Sequence, residues 1–128
     1  MMSRLPIIVF ALLLCSVGNS VDHKSRFGIT VLKTFSQNIL GKNFGYYVEL
    51  RNDSQKTVDA IEWQARFYNN FEDLKVIRKG NWSSGNFISP VKTGESVLDL
   101  EGDWVDDATK VYIEIIRVHF TDGTTLRK

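Results

Sequence analysis

The stretch Lys110 to Thr121, KVYIEIIRVHFT, constrains the fold more than any other part of this chain. Val111, Ile113 and Ile115 alternate with Lys110, Tyr112 and Glu114. The alternation then resumes one position later, with Ile116, Val118 and Phe120 set against Arg117, His119 and Thr121. A period of two is the pattern of a strand with one buried face. The slip calls for a β-bulge near Ile115 and Ile116, because an unbulged strand would turn three large apolar side chains towards water. With the bulge, Tyr112, Glu114, Arg117 and His119 share the outward face.

The N-terminus reads as an export signal. Arg4 precedes an apolar run from Leu5 to Cys15, and Ser16, Gly18 and Ser20 supply small residues for cleavage after Gly18 or Ser20. The run is about a dozen residues long, short of the roughly 20 that cross a bilayer. Residues 1–20 are therefore assigned to a signal peptide and 21–128 to a single domain, secreted or periplasmic, with no membrane insertion after cleavage. Leu14 before Cys15 argues against a lipoprotein signal, which needs a small residue there. Cys15 is the one cysteine in the chain, so the mature protein has none, although its compartment permits disulfides. Its stability must come from packing. About 108 residues suffice for one core and leave no room for a second domain. Losing Arg4 leaves 15 basic residues, one fewer than the full chain, against 15 acidic ones. A neutral chain with interspersed signs has no general drive towards nucleic acid or an anionic membrane.

Further strands follow from the same pattern. Phe27, Ile29 and Val31 mark the first, Tyr46, Val48 and Leu50 the second, and Ile61, Trp63, Ala65 and Phe67 the best patterned of all. Leu74, Val76 and Ile77 suggest a short edge strand, Val97, Leu98 and Leu100 another, and Thr125 and Leu126 a brief last one. Residues 36–44, 52–56, 68–73, 80–85, 90–94 and 101–109 read as turns or loops, the last of them acidic and containing Trp104. The expected fold is all-β, a small immunoglobulin-like antiparallel β-sandwich of about seven strands. A small barrel with the same strands is the competing arrangement. The expected core is Ile29, Val31, Val48, Leu50, Ile61, Trp63, Phe67, Leu98, Val111, Ile113, Ile116, Val118 and Phe120, with Trp63 at its centre.

Little in the chain points to catalysis or metal chemistry. There are two histidines, His23 in the N-terminal lead-in and His119 on the outward face of the long strand. A zinc site needs more ligands than these offer. Ser83, Ser84 and Ser96 lack the strand, elbow and helix setting of a nucleophile. Six carboxylates between Glu95 and Asp107 form the least implausible ion site, for calcium. Their spacing lacks the flanking helices and the late glutamate of the helix-flanked calcium loop. Paired-carboxylate glycoside chemistry would need a cleft and one raised pKa. No cofactor, metal or catalytic residue is assigned, and the chain is read as non-enzymatic.

Aromatic residues off the core phases are more informative. Tyr112 lies on an outward phase, and Tyr68, Trp82 and Trp104 lie in or beside loops. Exposed tyrosine and tryptophan can stack on sugar rings or anchor a protein partner, so Tyr68, Trp82, Trp104, Tyr112 and His119 are the candidate ligand-binding residues. The alternative is that the loop tryptophans fold back to cap the sandwich. Asn52-Asp53-Ser54 and Asn81-Trp82-Ser83 are glycosylation sequons if the source is eukaryotic.

The succession VELRNDSQKTVDAIEWQARFYNNFED, then ISPVKTGES, then IIRVHFTDGT, resembles the FxLYD-type immunoglobulin-like modules of exported bacterial proteins. The likeness rests on Val48, Leu50, Asn52, Ser54, Lys56, Thr57, Ile61, Phe67, Gly94, Phe120, Asp122 and Gly123, over most of residues 27–125. Tyr68-Asn69 departs from the aromatic–aspartate pair of that family. The resemblance implies a sandwich without enzymatic activity and transfers no catalytic residue. The expected function is a secreted or periplasmic binding module for a protein or cell-surface glycan or other surface component. One alternative is a carbohydrate-binding module with Trp82, Trp104 and Tyr68 as a flat platform. Another is a proteinase inhibitor presenting residues 68–72 or 83–86. Oligomeric state is left open.

Overall fold

The computed structural model describes residues 19–20, 25–40 and 42–128; of the signal peptide expected over residues 1–20, residues 1–18 lie outside the described residues, as does His23. Two short strands, β1 (Asn19–Ser20) and β2 (Ser25–Arg26), precede six long ones: β3 (Ile29–Ile39), β4 (Lys42–Asn52), β5 (Val58–Tyr68), β6 (Leu74–Ser83), β7 (Ser96–Asp106) and β8 (Lys110–Phe120). A short β9 (Thr125–Arg127) ends the chain. The seven strands expected from periodicity are β3 to β9. All pairings are antiparallel, and they build two separate sheets. In the first, β1 and β2 both pair with β3, followed by β4 and β7; the second runs β6-β5-β8-β9. The chain changes sheet between β4 and β5, β6 and β7, and β7 and β8. This is a two-sheet sandwich consistent with the broad immunoglobulin-like class, and among the described residues no strand pairing closes it into a barrel.

Several strands run further than their alternation suggested. Residues 36–44, read as a turn-rich connection, belong almost wholly to β3 and β4, with only residues 40 and 41 between them. Residues 80–83 continue β6, and residues 101–106, read as an acidic loop, continue β7. The β2–β3 hairpin closes through Phe27 and Gly28, both at positive φ (55° and 83°), between the paired Arg26 and Ile29. A two-residue loop of that conformation matches the right-handed twist of the strands.

The bulge falls where the alternation slips. Glu62 pairs with Arg117 and Trp63 with Ile115, leaving Ile116 unopposed. Ile115 is buried, whereas Ile116 is only half-buried and sits outside the core. Its carbonyl accepts the amide of Lys128 at 2.9 Å. The expected place of Ile116 in the core is therefore corrected in favour of Ile115.

Leu98 is the second correction, with 65% of its surface exposed. Pairing with β4 sets Val97, Asp99 and Glu101 opposite Leu50, Val48 and Tyr46, the inward residues of that strand. Leu98 and Leu100 fall opposite Glu49 and Tyr47 and face out. A slip of one residue would reverse both faces. The register is held at the start of β7, where Asn52 accepts the Gly94 amide at 2.7 Å and donates its own to the Glu95 carbonyl at 2.9 Å.

Trp63 is fully buried between the sheets, and its indole Nε1 donates to Tyr46 Oη at 2.9 Å, joining β5 to β4. Tyr46 in turn meets Phe67 edge to face at 5.7 Å. Burial holds the Tyr46 phenol well above the usual tyrosine range, against the opposing pull of the Trp63 hydrogen bond.

Asn52 fastens the loops at one end. Its buried amide donates to the Lys56 carbonyl at 2.8 Å and the Val91 carbonyl at 2.9 Å, while its Oδ1 accepts from the Ser54 amide and hydroxyl. The folded protein leaves that amide no room for a glycan, whereas Asn81 is exposed. Asn52→Ala is expected to cost about 1–3 kcal/mol, the penalty for buried acceptors left short of donors. A denaturant midpoint indistinguishable from wild type would show that water replaces the amide.

Candidate functional site

The five candidate binding residues separate into three places. Tyr68 ends β5 and Tyr112 lies early in β8. The β5–β8 register, with Arg66 opposite Tyr112 and Tyr68 opposite Lys110, makes the two tyrosines diagonal neighbours on the outward face of the second sheet. Their rings meet edge to face at 5.3 Å and 77°, an arrangement favoured by the aromatic quadrupole. Both line a cleft of about 800 Å³ with Arg26, Arg66, Glu72 and Glu114. The cleft lies where β9, which pairs only with Arg117–His119, leaves the first half of β8 without a paired strand on that side among the described residues.

Charge in the cleft converges on Glu114. Its carboxylate accepts from Arg26 Nη1 at 2.6 Å, Lys128 Nζ at 2.9 Å and Arg66 Nη2 at 3.3 Å. The Lys128 hydrogen bond, helped by that of Arg26, holds the Glu114 carboxyl below its ordinary range. Three cations around one carboxylate leave a local excess of positive charge. Glu72, on the rim, pairs with Lys110 and adds no uncompensated charge.

His119 lies near the other end of β8, its Nδ1 2.6 Å from Asp59 Oδ1. It borders a smaller depression of about 290 Å³ that also includes Trp82, Arg117 and Thr125. A histidine–carboxylate pair invites comparison with a hydrolase triad, and Ser83 lies on the same face. Ser83 and His119, however, are both paired with Ala60, one on each side. Two strand spacings, about 10 Å, thus separate them, far beyond the reach of a nucleophile–base hydrogen bond.

Trp82, read as lying in or beside a loop and either exposed for binding or folded back onto the sandwich, occupies the inward phase of β6 opposite Ile61, and only 8% of its surface is exposed, in line with the second of those readings. Trp104, also expected in a loop, lies within β7 on the outer face of the first sheet, with 56% exposed. It meets Phe44 edge to face at 4.4 Å, and its Nε1 donates to Asp106 Oδ1 at 3.1 Å. Tyr68 and Trp82 belong to one sheet and Trp104 to the other, so the three do not form a flat platform. The 68–72 segment, considered as an inhibitory loop, begins at the end of β5 and enters a tight turn in which Asn69 Oδ1 accepts the amides of Phe71 and Asp73. It does not have the extended course of an inhibitory loop.

Sequence reading missed the two faces of β7. The six carboxylates of residues 95–107 do not gather around a turn: Asp99, Glu101 and Asp103 share the inner phase of the strand, and Asp106 lies on its outer phase beside Lys42. No group of three or more potential ligands is placed to hold a metal ion among the described residues. Burial, and then sharing of a proton with Asp99, pushes the Glu101 carboxyl up to about 7. The outer phase of β7 continues an aromatic surface in which Phe35 and Tyr47 lie 4.7 Å apart. Leu98 and Leu100 two residues apart were the visible signal, but a two-residue period does not say which phase faces inward.

Compared with protein-family models and with curated proteins, the chain matches none; the expected FxLYD-type resemblance gains no support from them, and what stands is an antiparallel two-sheet sandwich of the broad immunoglobulin-like class.

Proposed function

We propose that this chain is an exported, non-enzymatic binding module, secreted or periplasmic, that recognises a protein or cell-surface component through the cleft at Tyr68 and Tyr112. The observation that carries this reading is the edge-to-face tyrosine pair set beside Arg26, Arg66 and Lys128 around a single carboxylate. Tyrosine and arginine are the residue types that concentrate binding energy at interfaces. Arginine also presents a planar donor fork suited to carboxylates. The excess positive charge therefore favours an acidic group on the partner. The sugar-platform reading has less behind it, because Trp82 is buried and the two tyrosines present a corner in place of a plane.

Capture of partners from the cell-surface fraction of the source organism tests the proposal. Tyr68→Ala/Tyr112→Ala is expected to reduce the recovered partner at least about tenfold, the loss of roughly 1.4 kcal/mol or more. Phe87→Ala, exposed in the connection between β6 and β7 and outside the cleft, is expected to leave capture unchanged. Equal capture by the double variant would remove the cleft as the recognition site.

A further inference from the structure

We propose that the free edge of β7 is a docking strand for an extended segment of another protein in which lysine or arginine alternates with apolar residues. β7 is eleven residues long and closes one side of the first sheet. It pairs with β4 alone, and the backbone groups along its other edge have no backbone partner among the described residues. Edge strands are usually kept from pairing by lysine, proline, a bulge, brevity or inward-pointing charges. β9 has three residues, and β6, the neighbouring edge of the other sheet, carries Lys75, Arg78 and Lys79. β7 contains no lysine, arginine or proline; its guards are a register shift opposite Asn43–Gly45, which leaves Ser96–Gly102 as the regular stretch, and inward-pointing acids, which deter any incoming strand that brings no cations.

What β7 does contain selects the occupant. A strand added to its edge would continue the alternation, since directly opposed residues share a face. On the outer face the incoming side chains would meet Leu98, Leu100 and Trp104, all exposed, and continue the surface begun by Phe35 and Tyr47. On the inner face they would meet Asp99, Glu101 and Asp103. Arg78 holds Asp103 at 3.4 Å, but no cation lies within ion-pair distance of Asp99 or Glu101 among the described residues. Asp99 Oδ2 is buried without a hydrogen-bond donor. Cations in alternate positions of the added strand supply the missing partners.

A second copy of the chain fits less well. Pairing β7 with itself sets acids against acids on the inner face. The basic edge of β6 is already engaged within the molecule, by Arg78 with Asp103 and Lys75 with Asp107 at 3.6 Å. These charges admit a basic strand and exclude an apolar or acidic one, a selectivity achieved by repulsion as well as attraction.

The test uses the full exported protein and three seven-residue synthetic peptides: valine alternating with lysine, valine alternating with glutamate, and the valine–lysine composition with its lysines consecutive. At pH 8 the alternating lysine peptide is expected to bind saturably and to protect β7 amides from hydrogen exchange. The other two peptides, and the lysine peptide on Asp99→Asn/Glu101→Gln, are expected to bind at least about tenfold more weakly. The groups facing Glu101 are Asp99 and Asp103 on its own strand, the Tyr46 phenol on β4, and Arg78 of β6 through Asp103. Among the carboxylates, Glu101 is the one pushed up to about 7, so binding is expected to weaken as the pH is lowered from 8 to 6 and that carboxylate takes up a proton. Equal binding of the consecutive-lysine peptide, absence of protection in β7, or self-association of the free protein through β7 would each overturn the proposal. Tyr68→Ala/Tyr112→Ala is expected to bind the peptide as wild type does. Loss of binding in that variant would instead place the peptide in the cleft, so this proposal and the cleft reading can fail separately.

Discussion

Trp63→Ala is expected to destabilise the domain by about 3–5 kcal/mol, the usual cost of removing a large aromatic from a close-packed core. Two effects add at this position. The indole is fully buried between the sheets, so its loss opens a cavity lined by residues of both. The substitution also strips Tyr46 Oη of its donor, in an environment that already disfavours ionising the phenol. Against a total stability of about 5–15 kcal/mol for a domain of ordinary size, and with one cysteine in the chain and so no disulfide within it, a change of this magnitude removes a large share of the stability of the folded state. Chemical denaturation followed by far-ultraviolet circular dichroism would measure it. A midpoint within experimental scatter of wild type would mean that the sandwich does not depend on this inter-sheet contact.

Gly80→Ala is expected to be nearly as damaging, at about 1–3 kcal/mol or slightly more, through the opposite fault of overpacking. A Cβ at Gly80 would lie 2.2 Å from Trp63 Nε1 and 2.7 Å from Tyr46 Oη. Neither neighbour is the free end of a flexible side chain, because each is buried and they are hydrogen-bonded to one another. Either β6 must move outward or the indole must leave its position. Combining Gly80→Ala with Trp63→Phe distinguishes the steric cause from a general loss of strand propensity. The smaller ring relieves the clash, so the double variant should be more stable than the sum of the single effects predicts, by about 0.5–3 kcal/mol of coupling. Strict additivity in that cycle would show that the glycine is not required by the tryptophan.

Both predictions depend on a feature that alternation made legible and one that it did not. Ile61, Trp63, Ala65 and Phe67 point inward because a strand with one apolar phase gains only by burying it, and all four are buried. Gly80 was read as part of a turn, since glycine commonly marks one. In fact it lies within β6, directly opposite Trp63 of the neighbouring strand β5, where the absence of a side chain leaves room for the indole and for the Tyr46 hydroxyl that reaches it from the facing sheet. That requirement arises from a residue 17 positions away in sequence, and nothing local announces it. The cleft divides in the same way. Tyr112 was placed outward by the phase of β8, but its meeting with Tyr68 depends on the β5–β8 register. The ring of cations around Glu114 depends on β2 and the C-terminal residue arriving there from distant parts of the chain.

The long strand at Lys110–Phe120 and the strand β7 mark the boundary between what sequence and tertiary structure each decide. In β8 the apolar side chains occupy a single phase on each side of the slip, so the sequence by itself determined the strand, its buried face and the position of the bulge. Ile115 and Ile116 are chemically identical, and only the pairing of Trp63 with Ile115 decided which of them enters the core. In β7 acids and apolar residues occupy opposite phases of an edge strand, and local burial would have favoured Leu98 and Leu100 inside. The pairing with β4 and the hydrogen bonds of Asn52 to Gly94 and Glu95 decided otherwise. Periodicity reports which residues share a face, but the face that meets the core is chosen by register. Register is fixed by contacts between segments far apart in the chain.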